Sequence, residues 1–202
     1  MHLIMPEKYE PKLSVRETQR AIRFIRETFQ DEFGKEMNLS RVSAPMFVDH
    51  STGLNDDLNG TESPVSFTIQ DLPNHKIEIV HSLAKWKRMT LSRNDFDLHE
   101  GIYTNMNAIR KDEDLDNLHS IYVDQWDWEK IIAKEEGTTA VLKEHVRKIF
   151  KVIKHMEHEV WYKYPQAVYH LPDKIHFVRR RSWKIVGLKK VLKNGKRRLR
   201  RS

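Results

Sequence analysis

The chain has 202 residues, 39% of them apolar, which is enough to bury a core, and no cysteine, which excludes disulfides and thiolate metal sites. It opens without an apolar h-region and has no run near ~18 apolar residues, so a soluble cytoplasmic protein with no membrane partner is expected. Of its 36 lysines and arginines, 12 crowd into residues 179–202, which hold no Asp or Glu; residues 1–178 therefore carry 24 basic against 29 acidic groups, and the net charge of +7 belongs to the tail.

Along the chain, residues 13–37 place Val15, Ile22, Ile25, Phe29 and Phe33 close to helical spacing, with Gly34 near the end of an amphipathic helix. Residues 41–48 (Arg-Val-Ser-Ala-Pro-Met-Phe-Val) follow as a short strand, and Pro45 puts it at an edge or interface. Residues 49–63, rich in Asp, Asn, Gly, Ser and Thr, read as a loop. Residues 64–70 and 76–80 alternate at period two as strands, with Asp71 to His75 as the turn between them. A short helix suits 83–91, and strands are expected at 101–109 and 119–126 around a charged loop. A long amphipathic helix over 138–164 ends before Pro165. Antiparallel strands edged by helices, without βαβ alternation, give an α+β fold.

Four segments carry candidate chemistry, each with a plainer reading beside it. Gly53 to Gly60 sets Asp56 and Asp57 in a glycine-bounded loop that suits a substrate ammonium group, although on this segment alone a solvated Asx-rich turn is the favoured reading. His81 to Arg88 follows an apolar strand directly, where Lys87 suits a carboxylate or phosphate, unless this is an exposed basic helix face. Arg110 to His119 joins two strands. An Arg there can fork onto a phosphate while a carboxylate accepts from an adenine amino group; the alternative is a solvated charged hairpin. In Tyr122 to Glu129, alternation puts Asp124, Trp126 and Trp128 on one face and Gln125, Asp127 and Glu129 on the other. A polar face opposite an aromatic one suits the floor of a pocket, or else an edge strand in water.

The runs Val80-His-Ser-Leu-Ala-Lys-Trp-Lys-Arg88 and Tyr122-Val-Asp-Gln-Trp-Asp-Trp-Glu129 resemble signature stretches of bacterial ammonia-dependent asparagine synthetases. Residues 101–110 and 171–178 are similar to that family too, and the likeness spans roughly residues 12–178. The resemblance implies the catalytic fold of class II aminoacyl-tRNA synthetases, an antiparallel sheet flanked by helices, here incomplete. It implies an aspartate–ammonia ligase in which ATP adenylates the β-carboxylate of L-aspartate and ammonia displaces AMP, with ATP as substrate and Mg²⁺ on its phosphates. It assigns Asp56, Lys87, Gln125 and Asp127 to aspartate, with Lys87 on a carboxylate and the two aspartates on the ammonium group. Arg110 falls between the reacting carboxylate and the α-phosphate, and Glu113 and His119 fall at ATP. Glu113 lies three residues after Arg110, where the synthetases usually place theirs two after. No protein metal ligand is assigned, and the helix at 13–37 with the strand near Pro45 resembles a homodimer interface.

Residues 1–178 thus read as the front part of a ligase catalytic domain, and 179–202 as a basic tail outside the likeness. The family's glycine-rich third motif has no counterpart. A shifted reading frame turns Glu and Lys codons into Arg and Lys codons, so a frameshifted or interrupted gene is the expected origin of the tail, and the product is expected to be unstable and inactive alone. The competing expectation is a catalytically dead ligase-like domain whose tail binds RNA by charge, although a nucleic-acid partner is the less expected one.

Overall fold

The computed structural model describes residues 4, 9–56, 58, 60–167 and 170–178. The basic tail lies outside the described residues, and so does Asp57. Helix α1 (Val15–Met37) starts at a capping box: the Ser14 hydroxyl accepts from the Glu17 backbone N–H, and the Glu17 carboxylate accepts from that of Ser14. It stops at Asn38, whose left-handed backbone (φ 54°) turns its own N–H onto the Gly34 and Lys35 carbonyls. Helix α3 (Thr139–Lys163) starts on the Thr138 hydroxyl and ends before Pro165.

Between these helices the strands form two three-stranded sheets. One has the order β1 (Leu39–Arg41), β5 (Gly101–Ile109), β6 (Tyr122–Lys130). The other has the order β2 (Phe47–Asp49), β4 (Leu72–Ile79), β3 (Ser66–Ile69). Helix α2 (Ala84–Arg93) links β4 to β5. All pairings are antiparallel except β1 with β5, which is parallel from Leu39↔Gly101 to Arg41↔Tyr103. The α+β class and the helix-flanked, mainly antiparallel sheet stand as expected.

Three boundaries differ from the sequence reading. Residues 41–48 are not one strand: β1 and β2 belong to different sheets, and Pro45, with no N–H to give a ladder, sits in the break. The turn after β3 is not Asp71 to His75 but only Gln70 and Asp71, since β4 already begins at Leu72. Pro73 is tolerated because β2 reaches only Ile77 to Ile79 of β4. The strand expected at 119–126 runs instead from Tyr122 to Lys130, in unbroken register with β5.

The β5–β6 sheet has a core on each face. Phe33, Met37, Leu39, Tyr103 and Val152 cluster between the sheet and α1 and α3, with Phe29, Trp128 and Ile149 packed on them. Val48, Val80, Leu83, Met106 and Ala108 cluster on the opposite side, joined by Trp86 and Val123. A side chain at Gly101 would meet the Glu129 carbonyl and come within 2.6 Å of Leu39 Cδ2, so only glycine lets three strands close here. Residues 170–178 belong to a second unit and form no helix or strand.

Candidate active site

Alternation along β6 decides which side chains face which helix. Trp126 stacks on Phe29 at 4.4 Å, Trp128 meets Phe33 edge-on at 5.9 Å, and Asp124 takes a two-pronged bond from Arg26 at 2.7 and 3.3 Å. On the other face Asp127 lies 2.5 Å from Lys87 Nζ and Glu129 lies 3.3 Å from Arg88, both cations on α2. The aromatic face is therefore glued to α1, and the polar face meets the basic turn of α2.

Lys87 is fully buried. Its Nζ is ion-paired with Asp127 at 2.5 Å and makes no hydrogen bond among the described residues. Taking an ammonium out of water costs several kcal/mol, and folds keep such groups where the charge is used.

The segment between β4 and α2 is held by Asn55. Its carbonyl oxygen accepts from the Asp56 N–H at 3.1 Å and from the His81 N–H at 2.9 Å. Its amide donates to Glu78 Oε2 at 3.3 Å and to the Ile79 carbonyl at 3.2 Å, and its own carbonyl accepts from Lys85 Nζ. Glu78 is buried, which pushes its carboxyl up, but hydrogen bonds from Lys76 and Asn55 outweigh this and hold it below the ordinary range.

Beyond β5 the chain turns through a polar loop. The Arg110 N–H donates to the Ile121 carbonyl at 2.8 Å, closing the neck of the hairpin. Asp112 accepts from the Ser63 N–H and hydroxyl, and Lys111 donates to both Ser63 and Asp112. The Ser63 N–H above all, with Lys111 and the Ser63 hydroxyl, pulls the Asp112 carboxyl down to about 2. This clasp ties the loop before β3 to the loop after β5.

Between the two loops opens a pocket of about 460 Å³, lined by Asp56, His81, Arg110 and Glu113 along with clasp residues. Arg110 Nε is buried with no hydrogen-bond partner among the described residues. The residues singled out by sequence divide into three groups. Asp56, Arg110 and Glu113 share this pocket. Lys87 and Asp127 form the ion pair outside its lining. Gln125 is exposed on β6, and His119 bonds Asp116 at 2.8 Å, which raises its imidazole. His81, Ser63 and Asp112 were not among the site candidates. His81 was signalled by its place directly after an apolar strand; the Ser63–Asp112 bond spans 49 residues and has no local signature.

Metal binding finds little here. Among the described residues no three His, Asp or Glu side chains are grouped to hold an ion.

A family model described as aspartate-ammonia ligase matches residues 16–185. Among curated relatives, the aspartate–ammonia ligase of Limosilactobacillus fermentum is 77% identical over 178 residues, covering 88% of this chain and 53% of the relative. That of Lactiplantibacillus plantarum is 75% identical, covering 88% and 55%. The chain thus spans about half the length of the curated relatives it matches. Two solved structures are similar in fold. A Giardia lamblia prolyl-tRNA synthetase in complex with prolyl-adenylate has a TM-score of 0.54 at 12% identity, over 75% of this chain and 30% of that one. A Bacillus halodurans ATP phosphoribosyltransferase regulatory subunit/histidyl-tRNA synthetase has a TM-score of 0.52 at 12% identity, over 76% and 39%. Both likenesses place the fold among class II aminoacyl-tRNA synthetases.

Proposed function

The chain belongs to the aspartate–ammonia ligase family, and from that premise we propose that it carries the aspartate- and α-phosphate-binding part of an enzyme that makes L-asparagine from L-aspartate, ammonia and ATP. The chemistry needs an activated carboxyl, because a carboxylate is a poor acyl donor. An oxygen of the β-carboxylate attacks the α-phosphorus and pyrophosphate leaves. Ammonia then adds to the acyl carbon, loses a proton, and AMP departs with the electron pair of the carbon–oxygen bond. Arg110 is suited to bridge the reacting carboxylate and the α-phosphate, where charge builds up. Lys87 serves a carboxylate of aspartate, Asp56 and Asp127 its ammonium group, and Gln125 its polar edge; Glu113 and His119 belong to the nucleotide end. Mg²⁺ would ride on the β- and γ-phosphates, and no step is derived through it.

The observation that carries this reading is Arg110 Nε, a donor of a permanently cationic group, buried without a hydrogen-bond partner among the described residues in the wall of a pocket that also holds Asp56 and Glu113. No described helix is long and apolar enough to cross a membrane, and a place in the cytoplasm belongs to the same proposal as the activity. A homodimer through α1 and the Pro45 region belongs to the same proposal. Arg110→Ala tests it by calorimetric titration of L-aspartate and ATP into the chain. Binding weakened by about tenfold or more is expected; unchanged affinity for both ligands refutes the role.

A further inference from the structure

Most described histidines of residues 1–169 give a ring nitrogen to a carboxylate. His50 meets Glu78, His75 meets Asp49, His99 meets Glu136, His119 meets Asp116 and His155 meets Glu32. His81 does not. It is 1% exposed, both ring nitrogens are buried without a hydrogen-bond partner among the described residues, and it lines the pocket with Asp56 and Arg110. Native interiors meet nearly all of their buried polar atoms, and each one left unmet calls for a cause.

Structural need does not supply that cause. The backbone N–H of His81 bonds Asn55 Oδ1, and its neighbours Val80 and Leu83 are each 1% exposed in the core cluster under α2. These contacts fix the position without the ring. An aromatic hydrocarbon would fill the space as well and leave no polar atom unmet. What the imidazole adds is hydrogen-bonding capacity on the wall of a cavity.

We propose that His81 is a further substrate-contacting residue, whose ring hydrogen-bonds a zwitterionic amino acid held in this pocket. A neutral imidazole offers one donor and one acceptor, which matches a ligand with carboxylate acceptors and an ammonium donor. Between Asp56, which suits the ammonium, and Arg110, which suits a carboxylate, His81 gives a third polar contact that fixes the orientation of the ligand. The inference rests on the reading of this pocket as an aspartate site.

The test uses the 202-residue chain with ¹⁵N-labelled histidine, titrated with L-aspartate while the imidazole nitrogens are followed by long-range ¹H–¹⁵N spectra. Calorimetry runs in parallel, and the H81N spectrum assigns the His81 signals by their loss. The expected result is a shift of His81 ring nitrogens that saturates with the binding heat. An affinity loss of about tenfold in H81F is also expected, recovered in part by H81N or H81Q according to which nitrogen matters. Binding heat with unmoved His81 nitrogens overturns this inference and leaves the ligase reading intact. Neither heat nor shift overturns the aspartate reading and this inference with it. Should H81F fail to fold, the ring-nitrogen shift in the unmutated chain decides alone.

Discussion

The two faces of the β5–β6 sheet differ in how their polar and apolar groups are satisfied. Toward α1 and α3, Trp126 and Trp128 pack on Phe29 and Phe33, and Asp124 is gripped by Arg26. Toward α2 and the pocket, Lys87 is buried with only the Asp127 ion pair, and Arg110 Nε and both His81 nitrogens have no hydrogen-bond partner among the described residues. One strand alternation thus assigns stability to one face and chemistry to the other. Groups satisfied within the fold hold it together, whereas groups left unsatisfied are available to a ligand.

Phe33→Ala breaks the stabilising face most directly. Phe33 is 3% exposed and touches Phe29 and Trp128, so about 3–5 kcal/mol should be lost in urea unfolding. Gly101→Ala inserts a methyl group against Glu129 and Leu39, and about 1–3 kcal/mol should go in the same measurement. Lys87→Met tests both properties at once. It leaves the largely buried Asp127 carboxylate without its cation, so stability should fall in urea unfolding while aspartate binding weakens by about tenfold. A variant that lost stability and kept its affinity would place Lys87 on the structural side.

The smallest effect concerns pH. The folded Asp112 carboxyl titrates near 2, below its ordinary value of 3.8. A lowered folded value adds stability that is present above pH ~4 and is lost as pH falls toward 2. Asp112→Asn should flatten that limb of the acid-unfolding profile; an identical limb would show that the clasp with Ser63 contributes nothing.

Sequence reading went as far as local pattern allowed. Alternation over Tyr122 to Glu129 named the two faces of β6 correctly because period two is a backbone property. The helices at 15–37 and 139–163 were legible from spacing and Pro165, whereas the Ser14 capping box emerged only in the structure. Pro45 was recognised as disruptive, but not as the point where the chain changes sheets, which depends on partners far along the chain. The turn at Gln70 and Asp71 was missed because Pro73 reads as a loop residue unless its neighbour strand is known to stop short. At the site, Arg110 and Asp56 were visible as residue types in suitable loops. The burial of His81 and Lys87 was not, since two polar side chains after a strand look solvent-facing until the second sheet closes over them.

Asn55 has a consequence for how the pocket keeps its shape. Because one amide oxygen holds the backbone of both Asp56 and His81, displacements of those two residues are correlated instead of independent. If the loop breathes, the two wall positions travel as a pair and the gauge between them is conserved. A pocket built this way tolerates drift of its rim while still measuring the same length of ligand.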